Sequence, residues 1–236
     1  MIDFWESAPI WGDSHGRCNP LGCGLTRLTE GNLPLHPSSR FDQHHAMSPG
    51  KPVIISPPPD WSTRGAALIA ELEVALGDWA NRVDHIGSTS IPNMAAKDVL
   101  DLQVSVSDLD DAARSFDAPL GSLGFQRSPY ETDHIPAGQT DSPANWAKRL
   151  WLRRGHTDGD VNLHVRLTGS PNERLALLFR DWFRAHPEAV PAYAAFKMAL
   201  AEIAQDTDIY SDVKDPVVDL VIAVAEPWAV SVGWHP

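Results

Sequence analysis

Three features of this sequence predict an α/β (α+β) domain with a sheet of at least four strands. Residues 99–106, VLDLQVSV, alternate strictly between aliphatic and polar side chains, and residues 161–167, VNLHVRL, do so again. Alternation of period two marks a strand with one covered face. Between these stretches apolar residues recur at helical spacing. One helix start is written out in full, with Ser170 as cap, Pro171 in the first helical position and Glu173 completing a capping box.

In chain order, residues 1–50 scatter Gly, Pro, His and Ser with little periodicity, which predicts a poorly structured extension ahead of a domain over 51–236. Breaks at Ser48-Pro49-Gly50 and Pro57-Pro58-Pro59 separate the two. Ser62 is a suitable cap for a helix carrying Ile69, Leu72, Leu76 and Trp79, expected to stop around Ala80 because Gly77 lies near its end. Val83 to Ile86 is a short strand that ends at a Gly-Ser turn. A helix is expected over 108–123, then a long polar loop from Ser128 to Asn145. In the RLWLRR strand Arg149, Trp151 and Arg153 share a face. Further helices run from Ser170, through Tyr193, Phe196 and Leu200, and from Asp215-Pro216 to about Trp228.

The formal charge of −12 over 236 residues argues against general binding of nucleic acid or anionic membranes. The charge is uneven, however. Between Lys148 and Arg184 eight Lys/Arg face four Asp/Glu, a zone suited either to a small anion or to solvated ion pairs. Cys18 and Cys23 are too few for a disulfide framework or a complete zinc site, and His15, His36, His44 and His45 do not supply ligand pairs on both sides. The acidic start, MIDFWESAPI, lacks the build of a signal peptide, and no apolar run reaches the roughly 18 residues of a membrane span. A cytoplasmic protein is expected.

Alternation carries the functional argument. If the aliphatic residues of the two long strands pack on helices, the other face collects Asp101, Gln103, Ser105, Asn162, His164 and Arg166, with Arg149 or Arg153 beside them. Short polar groups with fixed cations suit a cleft floor, although a solvated sheet face can look the same. At the strand end, Gly87-Ser88-Thr89-Ser90 offers backbone N–H groups and three hydroxyls, and glycine lets a backbone approach an oxyanion closely. Lys97 supplies a point charge. No P-loop pattern occurs.

The stretch HIGSTSIPNMAAKDVLDLQV, from His85 to Val104, resembles the signature of the GrpB (UPF0157) family, which is similar to the nucleotidyltransferase fold. The resemblance extends over most of residues 51–231 through Trp61, KRLWLRR, NLHVRL, LLFRDWFRAHPEA, YAAFK, and Tyr210, Lys214 and Trp228. The late segments look like the GrpB domain that follows dephospho-CoA kinase in actinobacterial fusions. The kinase's P-loop half has no counterpart here.

The resemblance implies a nucleotidyltransferase-like mixed sheet with a polar cleft on its open face. It also implies that Gly87 and Ser88 hold phosphate, with Thr89, Ser90, Lys97, Gln103, Arg149, Arg166, Arg180 and Lys197 as further phosphate- or nucleotide-binding candidates. Arg180, with Asp181 and Arg184, is equally suited to structural ion pairs, and Tyr210 and Lys214 to closing over the site. Asp101 takes the first acid position of a two-metal site and is the tentative Mg²⁺ ligand, with His164 as its catalytic companion. The second and third acid positions are Gln103 and His164, which depart from the carboxylates that hold Mg²⁺.

Three functions follow: a nucleotide-handling enzyme, a module that binds a nucleotide or CoA-like phosphate and partners dephospho-CoA kinase, or a structural interaction domain. The missing acids favour the second.

Overall fold

The computed structural model describes residues 50–236. The extension expected over 1–50 lies, but for Gly50, outside the described residues, and so do Cys18, Cys23, His15, His36, His44 and His45.

Helix α1 (Trp61–Leu76) opens the domain, with Asp60 at its N-cap and Ser62 inside its first turn. Gly77, at φ 52°, ends it earlier than expected, and a 3-10 turn carries the chain to Trp79. Strand β1 (Arg82–Ile86) leads through a 3-10 turn at Ser88–Ser90 to β2 (Val99–Val106). The helix expected over 108–123 is two short helices, α2 (Leu109–Ser115) and α3 (Asp117–Ser122). Asp108 caps the first by accepting from the amides of Asp110 and Asp111, each at 2.8 Å. A two-residue strand β3 (Gln126–Arg127), β4 (Lys148–Arg153) and β5 (Asp160–Leu167) complete the sheet.

Three helices follow, α4 (Pro171–Ala185), α5 (Val190–Ile203) and α6 (Thr207–Val232). Helix α6 begins eight residues before the expected Asp215-Pro216 start. Asp206 caps it, accepting from the amides of Asp208 and Ile209, and both Pro216 and Pro227 lie inside it. At the start of α4 the capping box is shifted by one residue. Glu173 Oε2 accepts from the amide of Gly169 at 2.7 Å, while the Ser170 hydroxyl turns back to Leu167 O and Asn172.

The strand order is β1-β2-β5-β4-β3. The β2–β5 pair is parallel and the others antiparallel, which makes a mixed sheet of five strands. On one face Leu100, Leu102, Val104, Val106, Val161, Leu163 and Val165 are buried against Leu68 and Leu72 of α1, Leu109 of α2 and Leu120 of α3. A second apolar core joins Ile91 and Met94, just after the turn, to Leu178 and Phe183 of α4, Tyr193 of α5 and Ile222 of α6. Among the described residues no helix is long and apolar enough to cross a membrane.

The register corrects one expectation. Arg149 pairs with Val165 and Arg153 with Val161, so both sit on the aliphatic face; Lys148, opposite Arg166, is the strand's cation on the polar face. Arg149 is paired there with Asp110 at 2.8 Å. Parity alone does not decide a strand whose two faces read Arg-Trp-Arg and Lys-Leu-Leu.

The polar face is not open along its whole length. Helix α4 crosses it, so Gln103 and Ser105 are almost fully buried. Gln103 Nε2 donates to Glu173 O, and the Ser105 hydroxyl donates to Glu173 Oε1 at 2.5 Å. The long loop over 128–145 lies across the same side, fixed by Asp133. Its carboxylate takes Lys148 Nζ at 2.6 Å, Arg166 Nε at 2.7 Å and Asn172 Nδ2 at 3.0 Å.

Burial alone would raise the Asp133 pKa, but the Arg166 and Lys148 charges hold it well below the usual carboxylate range. A carboxylate depressed in the folded state stabilises above its unfolded pKa, near 4, and loses that contribution as pH falls toward the folded value. Asp133→Asn is therefore expected to cost about 3–5 kcal/mol at pH 7 in urea denaturation, since it strands two cations in a protected place. It should also flatten the loss of stability below about pH 4. A cost under about 1 kcal/mol would mean that the loop is held by other contacts.

Candidate functional site

Parallel pairing of β2 with β5 sets Asp101 opposite Asn162 and Gln103 opposite His164. Antiparallel pairing with β1 brings Ile86, and hence the turn that follows it, beside Asp101. Gly87 adopts φ 66° and ψ −169°, a backbone state open almost only to glycine. A Cβ at this position would stand 2.6 Å from Asp101 Oδ2. Glycine here thus serves two ends, the turn and the close approach of the carboxylate.

The turn's hydroxyls have separate duties. Ser90 Oγ donates back to Gly87 O at 2.7 Å, closing the turn, and Ser90 O accepts from Arg184. Thr89 Oγ1 lies 2.9 Å from His85 Nε2. Burial, with help from Arg184 and Arg180, outweighs Asp101 and pushes His85 down to about 4, so it is a neutral anchor near pH 7. Ser88, half-buried, receives Lys197 Nζ at 2.9 Å from α5. The helices after the sheet thereby reach back to the turn.

Asp101 is held from one side by Asn162, whose Nδ2 donates to Oδ1 at 2.7 Å. Asn162 Oδ1 in turn accepts from Arg154 Nη2 at 2.5 Å, so a single amide links guanidinium and carboxylate. Arg166 Nη2 points at His164 Nδ1, 3.4 Å away, which leaves the ring proton on Nε2, 3.7 Å from Asp101. Burial and the Arg166 charge lower the His164 pKa, so the ring is neutral near pH 7. For Asp101, burial pushes upward but His164, Asn162 and Lys97 outweigh it and hold the carboxyl at about 2. It is a carboxylate at any physiological pH.

Cations gather round this one carboxylate. Burial lowers the Lys97 pKa against the pull of Asp101, and Lys214 and Arg154 lower it further. Its ammonium lies 5.5 Å from the centre of the Tyr210 ring. Lys197, 2% exposed, lies 5.1 Å from the Tyr193 ring centre. Burial and the Lys214 charge push its pKa down to about 7. Among the described residues neither Lys97 nor Lys197 has a carboxylate within 4 Å. Arg154 is a site residue that sequence reading did not single out, hidden among the three arginines and one lysine of KRLWLRR. Its place in the linkage to Asp101 follows only from the hairpin between β4 and β5.

Other predicted residues are engaged with protein partners. Arg166 is committed to Asp133 and to Gln103 Oε1, the latter at 2.5 Å. Arg180 pairs with Asp84 and Asp181 and donates to His85 O. Arg149 stays on the far face with Asp110. A separate groove of about 730 Å³ lies beside α1 and is lined by Asp60, Arg64, Glu71, Asp98 and Asp158. Four acids to one base make it a poor place for a phosphate.

The donor set does not fit a pair of Mg²⁺ ions. Gln103, at the second acid position, spends its oxygen on Arg166. His164, at the third, turns its protonated nitrogen toward Asp101. Among the described residues no three His, Cys, Asp or Glu side chains converge. A lone carboxylate leaves hard divalent ions short of anionic oxygen.

Substitution at Gly87 tests the geometry. Gly87→Ala is expected to lose about 1–3 kcal/mol in urea denaturation because it carries both the disallowed φ/ψ and the clash with Asp101. Gly121→Ala, where a Cβ meets nothing within 4 Å, should be neutral or stabilising. Equal effects at the two positions would refute the close approach.

A family model described as GrpB protein matches residues 51–223. The dephospho-CoA kinase of Mycolicibacterium paratuberculosis is 36% identical over 201 residues, covering 78% of this chain and 48% of that protein. The UPF0157 protein YqkA of Bacillus subtilis is 31% identical over 158 residues, covering 66% of this chain and 42% of that protein. The chain thus spans about half the length of these relatives. The crystal structure of GrpB from Enterococcus faecalis superposes with a TM-score of 0.60 at 23% identity, over 75% of this chain and 99% of that one, and so shares the fold. With the model match covering most of the described domain, the chain belongs to the GrpB family.

Proposed function

We propose that this protein binds a small phosphate-bearing molecule, such as a nucleotide or a CoA-like phosphate, at the Gly87–Ser90 turn, and that it does so without a divalent metal. One observation carries the reading: two lysines, Lys97 and Lys197, are desolvated around a single carboxylate and have no ion-pair partner of their own among the described residues. Burying an ammonium is costly unless an anion meets it. A phosphate reaching the turn would give Lys97, Lys197 and Lys214 the counter-charge that Asp101 alone does not supply. Lys214, half-exposed with Asp215 3.6 Å away, is close enough for its charge to lower the pKa of both Lys97 and Lys197.

A partnership with dephospho-CoA kinase is part of the same reading. It is supported by similarity to roughly half of a protein bearing that name, and it gives the CoA-like phosphate a source. Nucleotidyl or phosphoryl transfer through Mg²⁺ is the competing reading, and Asp101 is its only favourable residue.

Isothermal titration of ATP, dephospho-CoA and pyrophosphate, with and without Mg²⁺, separates them. Binding should change less than about twofold with Mg²⁺ and persist in Asp101→Ala. Lys97→Met should weaken it at least about tenfold, the worth of one charge-assisted contact. Binding that requires Mg²⁺ and vanishes in Asp101→Ala would establish the metal-using alternative. No binding of any of the three would end both readings.

A further inference from the structure

Lys197 and Ser88 stand 109 residues apart in sequence and 2.9 Å apart in space. Resting on the anion-site reading, we propose that Ser88 is a nucleophile and Lys197 its general base, a serine–lysine pair that cleaves a phosphoester or phosphoanhydride without metal. The geometry is that of an activated hydroxyl. Ser88 follows directly on Gly87, whose φ of 66° turns the chain sharply out of strand β1. This raises the hydroxyl at the strand end, half-exposed, while the lysine behind it is almost wholly enclosed. A nucleophile and a base within hydrogen-bond reach are the essential parts of such a pair.

A purely structural ammonium would be expected to gather carboxylates or several carbonyls. Among the described residues the Lys197 ammonium has one hydrogen-bond partner, the Ser88 hydroxyl, and one ring, Tyr193. The charged groups that act on it are Lys214 from α6, Lys97 from the segment before β2, and Asp101 from β2. Two of these three are cations, which favours the neutral amine that a base must be. Burial is the larger cause, and together they bring the pKa to about 7. In the charged state Lys197 donates to Ser88. In the neutral state the Ser88 O–H can donate to Lys197.

The chemistry balances with water as the second reactant. Ser88 Oγ attacks phosphorus, its proton passes to Lys197 Nζ, and the P–O bond to the leaving group breaks as Lys197 returns the proton to the leaving oxygen. Water then attacks the phosphoserine. One of its protons passes through Lys197 to Ser88 Oγ, the Ser88–phosphorus bond breaks, and phosphate leaves. Lys97 and Lys214, whose charges act on Lys197, are the cations available to offset the negative charge that accumulates.

A fluorophosphonate probe tests the pair directly, because its reaction needs the same attack with fluoride as the leaving group. Intact-protein mass and peptide mapping should show one adduct, on Ser88, absent from Ser88→Ala. The wild-type labelling rate should rise with pH and reach half its plateau near pH 7, where Lys197 loses its proton. Lys197→Met, close in shape and uncharged, should label at least tenfold more slowly while melting no lower than wild type.

An unlabelled wild type that still binds pyrophosphate would sink the serine–lysine pair and leave the anion site standing. Labelling of Ser88 without pyrophosphate binding would sustain the pair and remove the anion-site reading. A Lys197→Met rate equal to wild type, or a flat pH profile in the unaltered protein, would also overturn the pair.

Discussion

The register between β2 and β5 is the constraint on which this molecule depends. Parallel strands lack a hairpin to align them, so the alignment must come from what each face buries. Here the aliphatic rows of both strands meet one layer of helices, and a slip of one residue would send Leu102 and Leu163 to the polar side. The same registration places Asn162 beside Asp101 and leaves Arg166 where it can reach both Gln103 and Asp133. Core packing and site geometry are therefore two results of one alignment. The Asp133 cluster then brings the long loop onto the polar face, and α4 covers what remains at the Ser105 end.

Much of the fold was legible because alternation is local. VLDLQVSV and VNLHVRL announce both their strands and their faces in the order of their letters. The β4 strand was ambiguous for a physical reason: arginine stems and tryptophan rings pack on an apolar face nearly as well as leucine does. Pro216 misled for another reason. Proline commonly opens a helix, and nothing local reveals that Asp206, ten residues before Pro216, has already capped one. Its missing N–H removes one helical bond, which the surrounding turns of α6 tolerate.

The site was legible only in its first half. Gly87, Ser88, Lys97 and Asp101 fall within fifteen residues, so their association can be read from sequence. Lys197 and Lys214 were expected only through the family resemblance, because it is the packing of α5 and α6 on the second core that brings them in, Lys197 from 109 residues beyond Ser88. Arg154 is invisible for a related reason, since its role depends on which way the β4–β5 hairpin turns. The contact of Lys197 with Ser88 is thus one that tertiary structure alone assembles. Gln103 illustrates the point from the other side. Expected among the phosphate-binding candidates, it is a buried cross-link that joins Arg166 to the backbone of α4.

The contact between Gly87 and the Asp101 carboxylate has a consequence for how such a sequence can drift. The two positions are not independent characters. While Asp101 is present, a side chain at 87 meets both an oxygen and an unfavourable backbone state. Once Asp101 is shortened to alanine, the clash with the carboxylate is gone, while the backbone penalty and a tight 3.0 Å contact with the Cβ at 101 remain. The order of substitutions therefore changes the penalty met on the way, and a lineage that first loses the acid meets a smaller one on later losing the glycine than a lineage that takes the reverse path. Such a pair would be inherited together or discarded together, and its history would be recorded as covariation between two sites fourteen residues apart.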